Sequence, residues 1–182
     1  MLNYFKMILT GEEIKKEIKN KNIIIKPFSI LQINPNSYNY RLGSELIIFD
    51  IIDNHKIMKK INIPKEGYIL EPSKTYLSHT FEKLGSIKYA MSLIGRSSLG
   101  RLGLFLQVSA NLGHTGSIHN WTLELVSTKP IKIYPNMIIG QISFWENKGD
   151  LNLYKNGYNN YNQPQISKLE EINKNDFNRR RN

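Results

Sequence analysis

No cysteine occurs among the 182 residues. Disulfides are therefore excluded, and so is any metal site built on thiolates. No run of about eighteen uncharged apolar residues is present, so no helix is expected to cross a membrane. The opening Met1-Leu-Asn-Tyr-Phe-Lys-Met7 lacks the apolar stretch and small-residue cleavage site of a secretory leader. These absences together point to the cytoplasm. The phosphate loop G-x-x-x-x-G-K-[ST] is missing, as is the G-x-S-x-G elbow. Clusters of acidic residues that would hold nuclease metals are also lacking.

What is present is ordinary globular composition. Hydrophobic residues make up 40% and charged residues 22%, enough apolar content for one domain with a real core. Lys and Arg number 25 against 15 Asp and Glu, for a net charge of +10. The basic residues are scattered: Lys15, Lys16, Lys19 and Lys21, then Lys59 and Lys60, then Arg179 to Arg181. That distribution reads as a solvated surface and a frayed tail, and the aromatic residues form no RNA-binding pattern. No specific nucleic-acid partner is expected.

One helix is well signalled. Thr10-Gly-Glu-Glu13 is a capping box, with Leu9 and Ile14 at the flanking staple positions. Ile14 and Ile18 share a face, Lys16 stands at ion-pair spacing from Glu12 and Glu13, and Asn20 marks the end. Short apolar runs follow, broken by Pro, Gly and Asn. They include Ile23–Phe28, Tyr38–Asp50, Lys56–Ile63, Tyr89–Ile94, Leu104–Ser109, Trp121–Ser127 and Ile138–Glu146. Such spacing predicts an all-β barrel or sandwich. Residues 1–6 read as an extension, 7–150 as the β domain, and 151–182 as a polar, aromatic, turn-rich tail. The tail is either disordered or a lid that orders over a ligand.

The chemistry concentrates in two places. Gly95-Arg-Ser-Ser-Leu-Gly-Arg-Leu-Gly-Leu104 sets charge into an apolar context, which is rare unless something offsets desolvation. Arg96, Ser97 and Ser98 suit phosphate oxygens, and equally suit a helix start capped by Ser97 or Ser98. On Trp121-Thr-Leu-Glu-Leu-Val126, alternation puts Trp121, Leu123 and Leu125 on one face and Thr122, Glu124 and Val126 on the other. A strand glutamate usually faces solvent. If Arg101 keeps it ionised in a partly buried place, it can act as a general base on water. His114 and His119 are five apart, which is no standard metal spacing.

These residues resemble the dCTP deaminases of the trimeric dUTPase superfamily. The resemblance rests on Gly95 to Phe105, Val108-Ser-Ala110 and Trp121 to Glu124. It extends to Met7–Ile14, Ile33–Gly43, Ile69–Pro72, Tyr134–Met137 and Ile139–Ile142. It implies a mainly β chain, a distorted dUTPase-like, jelly-roll-like β-barrel with a short N-terminal helix and a C-terminal lid. It also implies a homotrimer with shared active sites and metal-free activation of water, without zinc. By position Glu124 would be the general base. Ser97 and the Ala110 carbonyl would hold water and the leaving amino group, and Arg101 would sit beside Glu124. Arg96, Ser98 and Gln141 would bind the triphosphate, carrying Mg²⁺ on its oxygens, and Tyr154, Tyr158 and Lys168 of the lid would also bind substrate. His114 stands where related enzymes commonly carry an aspartate, which in dUTPases supports triphosphate hydrolysis. Asn39 and Gln107 replace a frequent aspartate and histidine. The expected reaction is therefore dCTP to dUTP and ammonia. The alternatives are a dUTP diphosphatase, a bifunctional dUMP-forming deaminase, or a catalytically silent nucleotide-binding regulator.

Overall fold

The capping box does form a helix. In the computed structural model, which describes residues 7–52, 55–107, 110–155, 157 and 161–167, α1 spans Gly11–Lys19. The Glu13 N–H donates to Thr10 Oγ1 at 3.3 Å, and Asn20 closes the C-terminus. Leu9 and Ile14 are both buried, as the staple requires. The ion pairs fall one residue closer than expected for Glu12, which meets Lys15, while Glu13 meets Lys16 at 3.3 Å. The inner face carries one charge. Glu17 is buried and accepts from the Tyr89 hydroxyl (2.8 Å), Asn20 and Asn22 (both 2.9 Å) and Lys88 (3.2 Å).

Fifteen strands follow among the described residues. In chain order they are β1 (Ile23–Lys26), β2 (Ile33–Asn34), β3 (Ser37–Arg41), β4 (Glu45–Ile52) and β5 (His55–Asn62). Next come β6 (Tyr68–Leu70), β7 (Thr75–His79), β8 (Lys83–Ser86), β9 (Ala90–Gly95) and β10 (Leu104–Leu106). The last are β11 (Leu112–Gly113), β12 (Ile118–His119), β13 (Thr122–Ser127), β14 (Ile131–Ile133) and β15 (Ile138–Trp145). A single helical turn, α2 (Ser97–Gly100), separates β9 from β10. This is the mainly β chain with a short N-terminal helix that the sequence implies.

Two five-stranded sheets organise the molecule. One runs β10-β13-β7-β4-β5 and the other β11-β9-β15-β3-β2. A three-stranded sheet, β1-β8-β12, and the pair β14-β6 complete it. Both large sheets feed one core. Leu46, Tyr76, Leu123 and Leu125 come from the first, and Tyr38, Tyr40, Leu93, Ile142 and Phe144 from the second. Each such side chain taken from water contributes roughly 1.5–3 kcal/mol. Strand β13 shows the alternation that the sequence predicts, with Leu123 and Leu125 buried and Thr122, Glu124 and Val126 half-buried.

A buried carboxylate fixes the approach to β13. Glu82 is fully buried and accepts from Arg41 Nε (2.6 Å), the Arg41 backbone N–H (2.8 Å) and Gln32 Nε2 (3.2 Å). The Arg41 guanidinium lies over the Phe81 ring, 4.4 Å from its centroid. Next to it, the Thr80 N–H donates to the Trp121 carbonyl, and the Trp121 N–H donates to Thr80 Oγ1, both at 2.9 Å. Unpaired, a carboxylate at this depth would be strongly destabilising, and these three hydrogen bonds compensate it.

Candidate active site

Glu124 sits on the wall of an open cleft of about 510 Å³. The register explains its neighbours. Glu124 lies opposite Leu77, and Val126 opposite Thr75, so Thr75, Leu77 and Thr122 share the wall with it. Phe49 of β4 extends the same surface. Gln107 and Ala110 form one edge of the opening. The Glu124 N–H donates to Gln107 Oε1 at 2.9 Å, and Gln107 Nε2 donates to the Ala110 carbonyl at 3.5 Å. Among the described residues, the Glu124 carboxylate accepts no hydrogen bond.

The opposite edge is aromatic. His119 is buried with its ring 4.3 Å from that of Trp121, and its Nδ1 lies 3.1 Å from the Asn120 carbonyl. Burial lowers the His119 pKa below the usual histidine value, against the pull of the Asn120 and Tyr161 carbonyls. His119 is therefore neutral at pH 7. His114 is exposed at the rim and faces Tyr154, ring centroids 5.3 Å apart.

The chain beyond β15 returns across this edge. The Tyr154 N–H donates to the Thr115 carbonyl at 2.8 Å, close against Gly116 at φ +100°. Asn147 Nδ2 donates to Thr115 Oγ1 at 2.9 Å. Further on, the Gln165 N–H donates to Thr122 Oγ1 (3.1 Å), Lys60 Nζ donates to Gln163 Oε1 (3.1 Å), and Pro164 is buried. Tyr154, Tyr161, Gln165, Ile166 and Ser167 all line the cleft.

The sequence-derived site residues divide into two places. Glu124, Ala110 and Tyr154 line the cleft; Arg96, Ser97, Ser98, Arg101 and Gln141 do not. Arg96 is the N-cap of α2, and neither Ser97 nor Ser98 caps it, since both lie inside the turn. Within the single chain Ser97, Ser98 and Arg101 are exposed and Arg96 is half-buried, so the reading of charge set between buried strands is corrected: these residues stand on a surface turn between β9 and β10. No ion pair joins Arg101 to Glu124 within this chain among the described residues. Gln141 pairs with Ile94, two residues before Arg96, and its Oε1 accepts from Ser37 at 2.9 Å. Tyr158, Lys168, the Val108-Ser109 motif and the 1–6 extension lie outside the described residues. Phe49, Thr75 and Leu77 reach the site only through strand pairing, which no local pattern discloses. Gln107 enters the sequence reading merely as a departure from a family habit.

The fold is that of the dUTPase-like class. A solved structure of 2'-deoxycytidine 5'-triphosphate deaminase from Agrobacterium tumefaciens superposes with a TM-score of 0.64 at 20% identity. The match covers 81% of this chain and 50% of that one, so the chain spans about half the length of that solved structure. Residues 8–147 match the dCTP deaminase-like family model, and the chain belongs to that family. It is 47% identical over 155 residues to "dCTP deaminase, dUMP-forming" of Hathewaya histolytica, covering 83% of this chain and 90% of the relative. A protein of the same name from Clostridium beijerinckii is 48% identical, covering 83% and 89%. The "dCTP deaminase" of Rhodopirellula baltica is 41% identical over 148 residues, covering 79% and 74%.

Relatives this similar make the chain an enzyme, a hydrolase, rather than a silent regulator. They also overturn the expectation that dUTP is the end product, because these names specify dUMP. That expectation leaned on His114. The structure places His114 at the exposed rim of the cleft, its ring 5.3 Å from that of Tyr154.

Proposed function

We propose that this chain converts dCTP to dUMP, by deamination at C4 followed by loss of pyrophosphate. The observation that carries the reading is the half-buried Glu124 carboxylate, free of hydrogen bonds among the described residues, in a cleft edged by the Ala110 carbonyl. The names of the relatives supply the product. Glu124 takes a proton from water, and the hydroxide adds to C4 of the cytosine. The C4=N3 electron pair shifts to N3 in that addition. The proton on Glu124 passes to the exocyclic nitrogen, the C4–N bond breaks with release of ammonia, and the hydroxyl proton moves to N3, leaving the uracil carbonyl. A second water then adds at the α-phosphorus, and the bond to the bridging oxygen breaks.

The groups outside the cleft enter from a neighbouring copy. In a homotrimer, the Arg96–Arg101 turn of one chain meets the Glu124 cleft of the next. Ser97 and the Ala110 carbonyl then orient the water and the amino group. Arg101 supports the charge of Glu124, and Arg96, Ser98 and Gln141 take the triphosphate. Support comes from the apolar side chains flanking the turn. Ile94, Leu102 and Phe105 are all exposed in the single chain. Among the described residues no three His, Asp or Glu side chains gather into a metal site. Mg²⁺ in this reading rides on the phosphate oxygens of the substrate. No helix among the described residues is long and apolar enough to cross a membrane. A free nucleotide substrate fits a place in the cytoplasm, with no specific nucleic-acid partner.

Purified protein given dCTP and Mg²⁺ should release ammonia, with dUMP and pyrophosphate resolved by chromatography. Glu124→Gln should slow ammonia release by at least ~10²-fold, the usual worth of a general base. Accumulation of dUTP as sole product would sink the dUMP reading.

A further inference from the structure

We propose that Gln107 is a positioning residue, holding the Glu124 end of β13 and the Ala110 carbonyl in one fixed relation. The inference rests on the proposed function, in which Glu124 is the base. Strands β10 and β13 pair regularly from Leu104↔Ser127 through Leu106↔Leu125. The next pair would be Gln107 with Glu124. The Gln107 N–H still reaches the Glu124 carbonyl, at a long 3.4 Å. The return bond comes from a side chain, because the Glu124 N–H donates to Gln107 Oε1 at 2.9 Å.

The backbone explains the substitution. Gln107 has φ +49°, a left-handed conformation that a residue with a Cβ rarely adopts. It turns the main chain out of the ladder at the position facing Glu124. The Gln107 amide oxygen then stands in for the main-chain acceptor that the ladder loses. The nitrogen of the same planar amide lies 3.5 Å from the Ala110 carbonyl. One rigid group thus touches the strand that bears the carboxylate and the carbonyl assigned to the leaving amino group. Among the described residues nothing hydrogen-bonds the Glu124 carboxylate itself, so its place depends on its backbone. The strained φ persists because these bonds over-determine it.

The test uses full-length protein and two variants. Wild type must first release ammonia from dCTP, and Glu124→Gln must not; failure there overturns the proposed function and leaves the geometry of Gln107 untouched. Gln107→Met keeps the length and removes both polar ends. It should lower kcat for ammonia release about tenfold or more while KM stays within about threefold, as displacement of a reacting group does. Gln107→Glu keeps an acceptor for the Glu124 N–H but brings a negative charge near Glu124. A like charge disfavours the ionised base, so the acid limb of the kcat profile should move to higher pH. Unchanged kcat in Gln107→Met, or a raised KM at unchanged kcat, overturns the positioning role. If the Met variant does not fold, Gln107→Glu decides: a shifted limb upholds the proposal and an unshifted limb overturns it.

Discussion

Glu17 and Glu124 show how differently one residue type is used at the scale of single side chains. Burial alone would raise the Glu17 pKa. The Tyr89 hydroxyl, the Asn20 and Asn22 amides and the Lys88 ammonium overcome it and bring the value down to about 2. Glu124 has no such cage among the described residues, which under the proposed function leaves its lone pairs to a substrate water. The first arrangement is structural and has a pH signature. A folded pKa below the ordinary carboxylate value stabilises the fold above the unfolded pKa, and that stability is lost as pH falls through the folded value. The thermal midpoint of wild type should therefore drop as pH falls from about 4.5 towards about 2. Glu17→Gln should cost about 1.5–3 kcal/mol at neutral pH, the worth of hydrogen bonds to a charged group, and flatten the curve in that window. An equally steep curve in the variant would mean that another carboxylate governs it.

Elements differ in how openly the sequence declares them. Helix α1 is legible because its cap, staple and amphipathic face are all local, and β13 is legible because its alternation continues through six residues. Strands β8, β11 and β12 are not. They are two to four residues long and exist through partners, Gly85 lying opposite Ile118 and Gly113 opposite Met91. The same limit applies to the site. Glu124 stands out in its own strand, whereas the contact from Gln107 needs a positive φ and a neighbouring strand that no spacing rule contains. Arg96 and Arg101 look anomalous among apolar residues only until α2 is seen to carry them outward. The segment after β15 depends on another such local fact. An added Cβ at Gly116 would lie 2.9 Å from the Tyr154 nitrogen, on a backbone already at φ +100°. Gly116→Ala should cost at least about 1–2 kcal/mol from the left-handed backbone alone. It should also speed limited proteolysis between residues 147 and 167. Cleavage at the wild-type rate would count against that anchoring.

On the scale of the whole molecule, the two halves of the proposed site are far from equivalent. The cleft, its aromatic edge and the returning segment are built by one chain. Ser97, Ser98 and Arg101 are exposed elsewhere on the same chain, close in sequence to the exposed apolar side chains of Leu102 and Phe105. Under the proposed trimer this separation has a consequence of the kind usually met in genetics. A chain bearing Glu124→Gln still carries an intact turn, and a chain bearing Ser97→Ala still carries an intact cleft. Each variant alone should be inactive. Denatured together and refolded as a mixture, the two should regain part of the wild-type ammonia release, because some sites then draw each half from an undamaged parent. Mixing without refolding should recover nothing if the subunits do not exchange. A refolded mixture as inactive as its parents would mean that each chain builds its site alone.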